Sequence, residues 1–445
     1  MTAPSLSTKE LRRVVIAAAV GNVIEWYDFY IFGSLATILA VKFFAEGTSG
    51  AALIKTVGTF TAGFLIRPFG AFLFGRVGDL IGRKYTFLVT LSGMGISTAL
   101  IGVVPSYAQI GAAAGIVLLL LRLVQGLCLG GEYGGAITYV AEHAPDEKRG
   151  YYTGWLQTSP TLGIVVSMVV IIGTRELLGP EAFNAWGWRI PFLLSLLMVA
   201  IAIYIRLQLQ ETPIFQAIKA RGQTATNPWR EAFWSQNVKY VLIASVVVIG
   251  EGVVWYSGQF WAYYFLQQVM KPDVLNPALI TGAALLIAAP SMIFFGWLSD
   301  KIGRKPIILT GFALASLTYY PLYTALGKAA DPTNINFPLA ILIVALMVCY
   351  VGMVYGPIGA FLAEYFPARI RYSSVSVPYH IGNGWGGGLV PVITTAAYVS
   401  THNLGNALVY PIVVPAVAFL LSLFLMPETR KISMWNPEEV GAARP

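Results

Sequence analysis

The chain has 445 residues, 56% of them hydrophobic and only 11% charged, with a mean hydropathy of +0.68. A soluble domain carries about 25% charged residues, so a water-soluble globular protein is excluded. The net charge of +8 would point to nucleic acid only if the basic residues gathered on one folded surface; they fall in alternate loops, and no nucleic-acid partner is expected.

Twelve apolar runs follow in chain order, at 14–38, 52–75, 85–104, 110–138, 151–172, 190–206, 240–265, 278–297, 306–326, 338–362, 373–396 and 408–426. Each is near or above the roughly 20 residues that cross a bilayer as a helix. Long uniform runs with scattered Gly and Pro lack the roughly ten-residue alternation of an outer-membrane barrel. The first run is too long for a cleavable signal peptide and leads straight into further spans. The expectation is therefore an all-α membrane protein of twelve transmembrane helices. Loops on one side, together with both chain ends, hold 21 of the 29 Lys and Arg, which by the positive-inside bias makes both termini cytoplasmic. Cys128 and Cys349 both sit in apolar runs and read as packing residues.

Internal repetition divides the chain in two. "GRVGDLIGRK" starts at Gly75 and "GWLSDKIGRK" at Gly296, so Asp79/Asp300, Gly82/Gly303 and Arg83/Arg304 share an offset of 221 residues. "AEHAPDEKR" and "AEYFPARIR" repeat at an offset of 222, aligning Glu142 with Glu364 and Arg149 with Arg371. Six spans separate each pair, so the halves have one topology and an axis along the membrane normal. The divisions expected are an N-terminal segment 1–13, a first six-helix bundle 14–206, a linker 207–239, a second bundle 240–427 and a tail 428–445.

Two Gly-x-x-x-Asp-x-x-Gly-Arg-Lys loops, each between the second and third span of a half, resemble the signature of the major facilitator superfamily. "GNVIEWYDF", "RPFGAFLFGRVGDLIGRK", "RLVQGLCLGGEYGG", "WGWRIPF", "QETP" and "MPETR" resemble its metabolite:proton symporter family over nearly the whole chain. The resemblance implies the major facilitator fold, proton-driven import by alternating access, a bacterial inner membrane, a monomer, and a solute drawn from carboxylates or zwitterions. It also implies that Gly75, Asp79, Gly82, Arg83, Asp300, Gly303, Arg304, Glu142, Arg149, Glu364 and Arg371 gate the cytoplasmic side. Leu80 departs from the basic residue usual after the Asp, which Lys301 keeps, and "VPYHIGNGWGGG" departs from the usual eleventh span at His380.

A charge at mid-bilayer costs about 2.5–3.5 kcal/mol even on the lenient insertion scale, so each one is a functional candidate. Glu25 and Asp28 are three residues apart on one helical face, halfway through the first span. Asp28 and Arg122 lie at one depth and are expected to pair as a proton-coupling switch, which first-span acids and a fourth-span Arg serve in related symporters. Arg67 and Glu132 are expected to form a structural ion pair. Shifting Arg122 and Glu132 by the repeat lands on Ile343 and Met353, so that polarity belongs to one half alone. Glu251 matches Glu25 in depth and is a second proton site or a neutral hydrogen-bonded acid.

A half-apolar solute site is expected from Arg122, Gln125, Tyr256, Phe260, Tyr355, Tyr379, His380 and Asn383, with Tyr263 or Tyr264 on the same face. Lipid-facing belts compete for these aromatics. Pro160, Pro357 and Pro378 mark bends around a cavity. Without a Gly-x-x-x-x-Gly-Lys phosphate cradle or grouped His and Cys, no nucleotide, metal or other cofactor and no enzymatic activity is expected. The favoured solute is a small organic carboxylate, since Arg122 offers a bidentate fork. A zwitterionic osmolyte or amino acid is the alternative, followed by an exchanger or exporter and a non-transporting sensor.

Overall fold

The computed structural model describes residues 8–44, 49–81, 83–207, 216, 237–270 and 275–434, with side chains at 8, 49, 50, 78–84, 87, 206 and 369 outside the description. The described residues are overwhelmingly helical, as a chain in hydrocarbon must be when every backbone group finds its partner within its own segment. Among the described residues, nine helices are long and apolar enough to cross a bilayer: Lys9–Ser34, Ala51–Val77, Ala113–His143, Asp146–Leu178, Val238–Val269, Leu275–Ile302, Arg304–Ala329, Phe337–Tyr365 and Leu404–Leu425.

Three more expected spans occur in shortened or broken form. The third is Arg83–Val103, apolar over Leu88–Val103. The sixth bends by 64° between Pro180–Gly187 and Arg189–Ile205. At this corner Arg189 Nη1 donates to the carbonyls of Gly102 at 2.7 Å and Val104 at 2.9 Å, so "WGWRIPF" ties the sixth span to the end of the third. The eleventh span runs Arg371–His380, a π turn Ile381–Gly386, a short 3-10 turn and Val390–Thr401. Twelve spans result among the described residues.

The seventh span also carries a π turn, Ser257–Trp261. Such turns free backbone carbonyls and are frequent at functional sites. Here tyrosine hydroxyls engage carbonyls beside and within the turns: Tyr319 donates to Val254 O at 3.0 Å, Tyr323 to Ser257 O at 2.5 Å and Tyr410 to Gly386 O at 2.8 Å.

Glycines set the separation of the second and fourth spans. A Cβ on Gly126 would run into the carbonyl of Gly63, and one on Gly130 into that of Arg67, so the two backbones touch. Gly126→Val is expected to destabilise the protein by about 1–3 kcal/mol, as overpacking does. Thermal unfolding in detergent checks this; an unchanged midpoint would mean that the spans do not pack this closely.

Between the halves, the fifth span packs on the eighth, while the second and fourth pack on the eleventh. One face of the bundle is closed by ions. Arg149 Nη1 donates to Glu364 Oε1 at 2.8 Å, and Arg304 reaches the same carboxylate through Nη2 at 2.9 Å and Nε at 3.3 Å. Asp300 accepts the amides of Gly150 and Tyr151, both at 2.8 Å, where the N-terminus of the fifth span favours negative charge. Arg371 Nη1 donates to Glu142 Oε1 at 2.9 Å. Sequence spacing pairs Glu142 with Arg149 and Glu364 with Arg371. The fold exchanges them, because each Arg points at the other half across the interface. The chain after the twelfth span joins in: Thr429 donates to Glu364 Oε2 at 2.6 Å and Ser433 to Asp146 Oδ2 at 2.7 Å. Gly303 has φ of 111°, which disfavours any side chain, and a Cβ there would meet the Glu428 carboxylate. Gly75 lies against Ser373, whereas the side chains of Asp79, Gly82 and Arg83 lie outside the described residues.

Candidate functional site

The second span breaks between Ser49–Leu65 and Arg67–Ile81, and Arg67 opens the second piece beside Pro68. The break turns a fully buried guanidinium toward the centre of the bundle. Its Nε donates to Nδ1 of His380 at 3.1 Å, which places the imidazole proton on Nε2. Its carbon lies 5.3 Å from the Trp26 ring centre, 5.4 Å from Phe64 and 5.9 Å from Tyr379. Nη1 and Nη2 have no hydrogen-bond partner.

Aromatic rings from both halves enclose this cation. Tyr30 is stacked between Trp26, at 4.9 Å between centres, and Trp255 of the other half, at 5.6 Å. Tyr256 meets Phe64 edge to face at 5.0 Å. Tyr355 and Tyr379 share a hydroxyl hydrogen bond of 3.0 Å, and Tyr133 stacks on Tyr379. Gln157 binds this wall by donating to the Tyr133 hydroxyl at 2.9 Å and the Tyr355 carbonyl at 3.0 Å. Glu251, also fully buried, accepts from Asn383 Nδ2 at 2.7 Å through Oε2 and lies within electrostatic range of Arg67.

Buried polar atoms without partners are rare in native proteins. Several occur on the side chains of this cluster: both outer nitrogens of Arg67, Glu251 Oε1, His380 Nε2, Trp255 Nε1 and the hydroxyls of Tyr30 and Tyr256. A guanidinium fork, a carboxyl oxygen and π faces gathered in one buried cluster suit a small solute that has both charged and apolar parts.

Toward the face opposite the ion network, aromatics close the chamber. Phe260 packs on Tyr30 at 4.8 Å, Tyr264 donates to Gly33 O at 3.1 Å and Tyr263 to Ser34 O at 3.3 Å. These residues are buried, so the lipid-belt reading of the seventh-span aromatics does not hold.

Two expected ion pairs do not form. Arg67 is turned to His380 rather than to Glu132, which precedes the helix Tyr133–His143. Arg122 Nη1 donates to Gln125 Oε1 at 2.6 Å and Phe29 O at 3.3 Å, and its guanidinium lies 4.0 Å from the Phe29 ring centre and 4.9 Å from that of Phe60. Asp28 instead lies beside Ser195 of the sixth span. Depth was matched correctly, but consecutive residues of a helix point about 100° apart, so Phe29 faces Arg122 and Asp28 does not. Glu25 is fully buried on the same helix. Gln125 turns from the chamber to Thr98, with its Nε2 donating at 2.6 Å.

Tyr256, Phe260, Tyr355, Tyr379, His380, Asn383 and Glu251 do come together. Trp26, Tyr30, Trp255, Tyr133 and Gln157 were not anticipated; the four-residue spacing of Trp26 and Tyr30, one helical turn, was the available signal.

Two repeated bundles, closed at one face by cross-half ion pairs around a buried polar and aromatic cluster, are the architecture of a membrane carrier. The family model described as "Sugar (and other) transporter" matches residues 14–228 and again 221–440. The chain belongs to this transporter family, within the major facilitator superfamily. It is 32% identical over 436 residues to the glycine betaine/proline/ectoine/pipecolic acid transporter OusA of Dickeya dadantii, covering 95% of this chain and 84% of that one. The proline/betaine transporter of Escherichia coli K12 is 32% identical, covering 94% and 84%. The inner membrane metabolite transport protein YhjE of E. coli is 31% identical, covering 95% of each. Among solved structures, the proton:xylose symporter XylE superposes with a TM-score of 0.73 over 98% of this chain and 99% of that one, at 17% identity, a likeness of fold.

Proposed function

We propose that the protein is a proton-coupled symporter of a small zwitterion in which a carboxylate and an ammonium are separated by a short apolar frame. The observation that carries this is Arg67: two unpartnered guanidinium nitrogens facing a chamber walled by Trp26, Tyr30, Trp255 and Tyr256. The fork receives the carboxylate, and the stacked rings receive the ammonium through their π faces. An organic carboxylate as solute rested on Arg122, and that residue is occupied by Gln125 and backbone carbonyls. Relatives whose names carry proline and betaine support the zwitterion.

Glu251 supplies the coupling. Ionised, it competes electrostatically with the solute for Arg67; protonated, it releases the guanidinium, so proton and solute enter together. Asp28, beside the sixth span, is a second proton site apart from the solute. The ion-network face is cytoplasmic, in keeping with the basic loops, in a bacterial inner membrane.

The test is radiolabelled glycine betaine and L-proline uptake into proteoliposomes with a lumenal pH dye. Wild type is expected to acidify the lumen as solute enters. Glu251→Gln is expected to keep solute exchange while losing the proton signal. Acidification that persists in Glu251→Gln would remove this residue from the coupling.

A further inference from the structure

Beyond the tyrosine gate, on the face opposite the ion network, lies a separate cavity of about 170 Å³ between the ends of the first, fifth, seventh and eighth spans. Its lining includes Ser34, Arg175, Phe183, Asn184, Tyr263 and Gln267. Arg175, in the last turn of the fifth span, is the one charged residue among the described residues of that lining, which include no carboxylate. Its guanidinium is half-buried and makes no hydrogen bond or ion pair with the described residues. Ser34 and Tyr263 belong both to this lining and to the gate, since Tyr263 donates to Ser34 O at 3.3 Å. The cavity floor is therefore the outer surface of the gate. Below it come the Tyr264 contact to Gly33 and the packing of Phe260 on Tyr30, and then the chamber.

We propose that this cavity is an entry site that binds the zwitterion before the gate opens, with its carboxylate on Arg175 and its ammonium against the Tyr263 and Phe183 rings. The ligand class rests on the function proposed above; the site rests on its own cavity and cation. Its chemistry repeats that of the chamber, a guanidinium facing aromatic rings, in a wetter setting where charge interactions are weaker. The protein thus has two sites of unequal affinity in series, and the closed conformation already offers the outer one.

The experiment is equilibrium binding of radiolabelled glycine betaine and L-proline to the full chain in lipid nanodiscs, for wild type, Arg67→Ala, Arg175→Gln and the double variant. Wild type is expected to show a tight and a weak component. Arg67→Ala should keep only the weak one. Arg175→Gln should weaken that component roughly tenfold or more, the loss of one charge-assisted contact, and leave the tight component in place. A weak component untouched by Arg175→Gln overturns the entry site, as does single-component binding in a wild type that transports the solute. If Arg67→Ala fails a thermal-melt check, the comparison of Arg175→Gln with wild type decides alone. Wild type that neither binds nor transports either zwitterion overturns the proposed function, and the ligand assignment of this cavity with it.

Discussion

Arg67→Ala is expected to lower zwitterion affinity by roughly 30-fold to 5,000-fold, the equivalent of losing about 2–5 kcal/mol from a buried, hydrogen-bonded charge contact. The guanidinium is fully buried, already holds His380, and keeps two nitrogens for a ligand. Removing it leaves a solute carboxylate to be desolvated with no counter-charge, and leaves Glu251 without the positive charge of Arg67. Arg67→Lys is expected to fall nearer to alanine than to wild type, because a point ammonium cannot bond the imidazole and present a planar fork at once. Titration of binding in detergent, with thermal melts as a folding control, reads both variants. Affinity within a few-fold of wild type in a folded Arg67→Ala would remove the carboxylate from this residue.

Glu364→Gln is expected to open the ion-network face. One carboxylate there receives Arg149, both Arg304 Nε and Nη2, and the Thr429 hydroxyl, and it is wholly buried. Neutralising it leaves two buried guanidiniums with reduced compensation, a loss of about 3–5 kcal/mol. Arg149 belongs to the first half, whereas Arg304 and Glu364 share the second, so the Arg149 part of that loss falls on the closed arrangement and moves the equilibrium toward the open one by up to roughly 10³-fold. Spin labels at exposed Glu147 and Lys301, one from each half, report the change. A longer distance should dominate in the variant. An unaltered distance distribution would mean that contacts elsewhere, such as Arg371 with Glu142, hold this face.

Glu142 and Glu364 show how far a linear reading reaches. Their repetition at a fixed offset identified both as parts of one duplicated device, since duplication is written in the order of residues. Their partners are exchanged between the halves, which only the docking of one bundle on the other decides. Arg67 and Arg122 meet the same limit. Both are lone arginines in apolar helices, and their spacing in sequence does not say which neighbours their guanidiniums face. The break at Ile66 turns Arg67 into the chamber, while Phe29 and Phe60 wrap Arg122 inside the first half.

Hydropathy runs, basic loops and the doubled motif were enough for the membrane, the twelve spans, the two halves and the family. These depend on local transfer free energies and on repetition, both carried by sequence alone. The chamber around Arg67, the isolation of Asp28 from Arg122 and the entry cavity at Arg175 came from tertiary structure. Each depends on the rotation of one helix about its axis relative to its neighbours, and that angle is set by packing, such as the glycine contacts between the second and fourth spans.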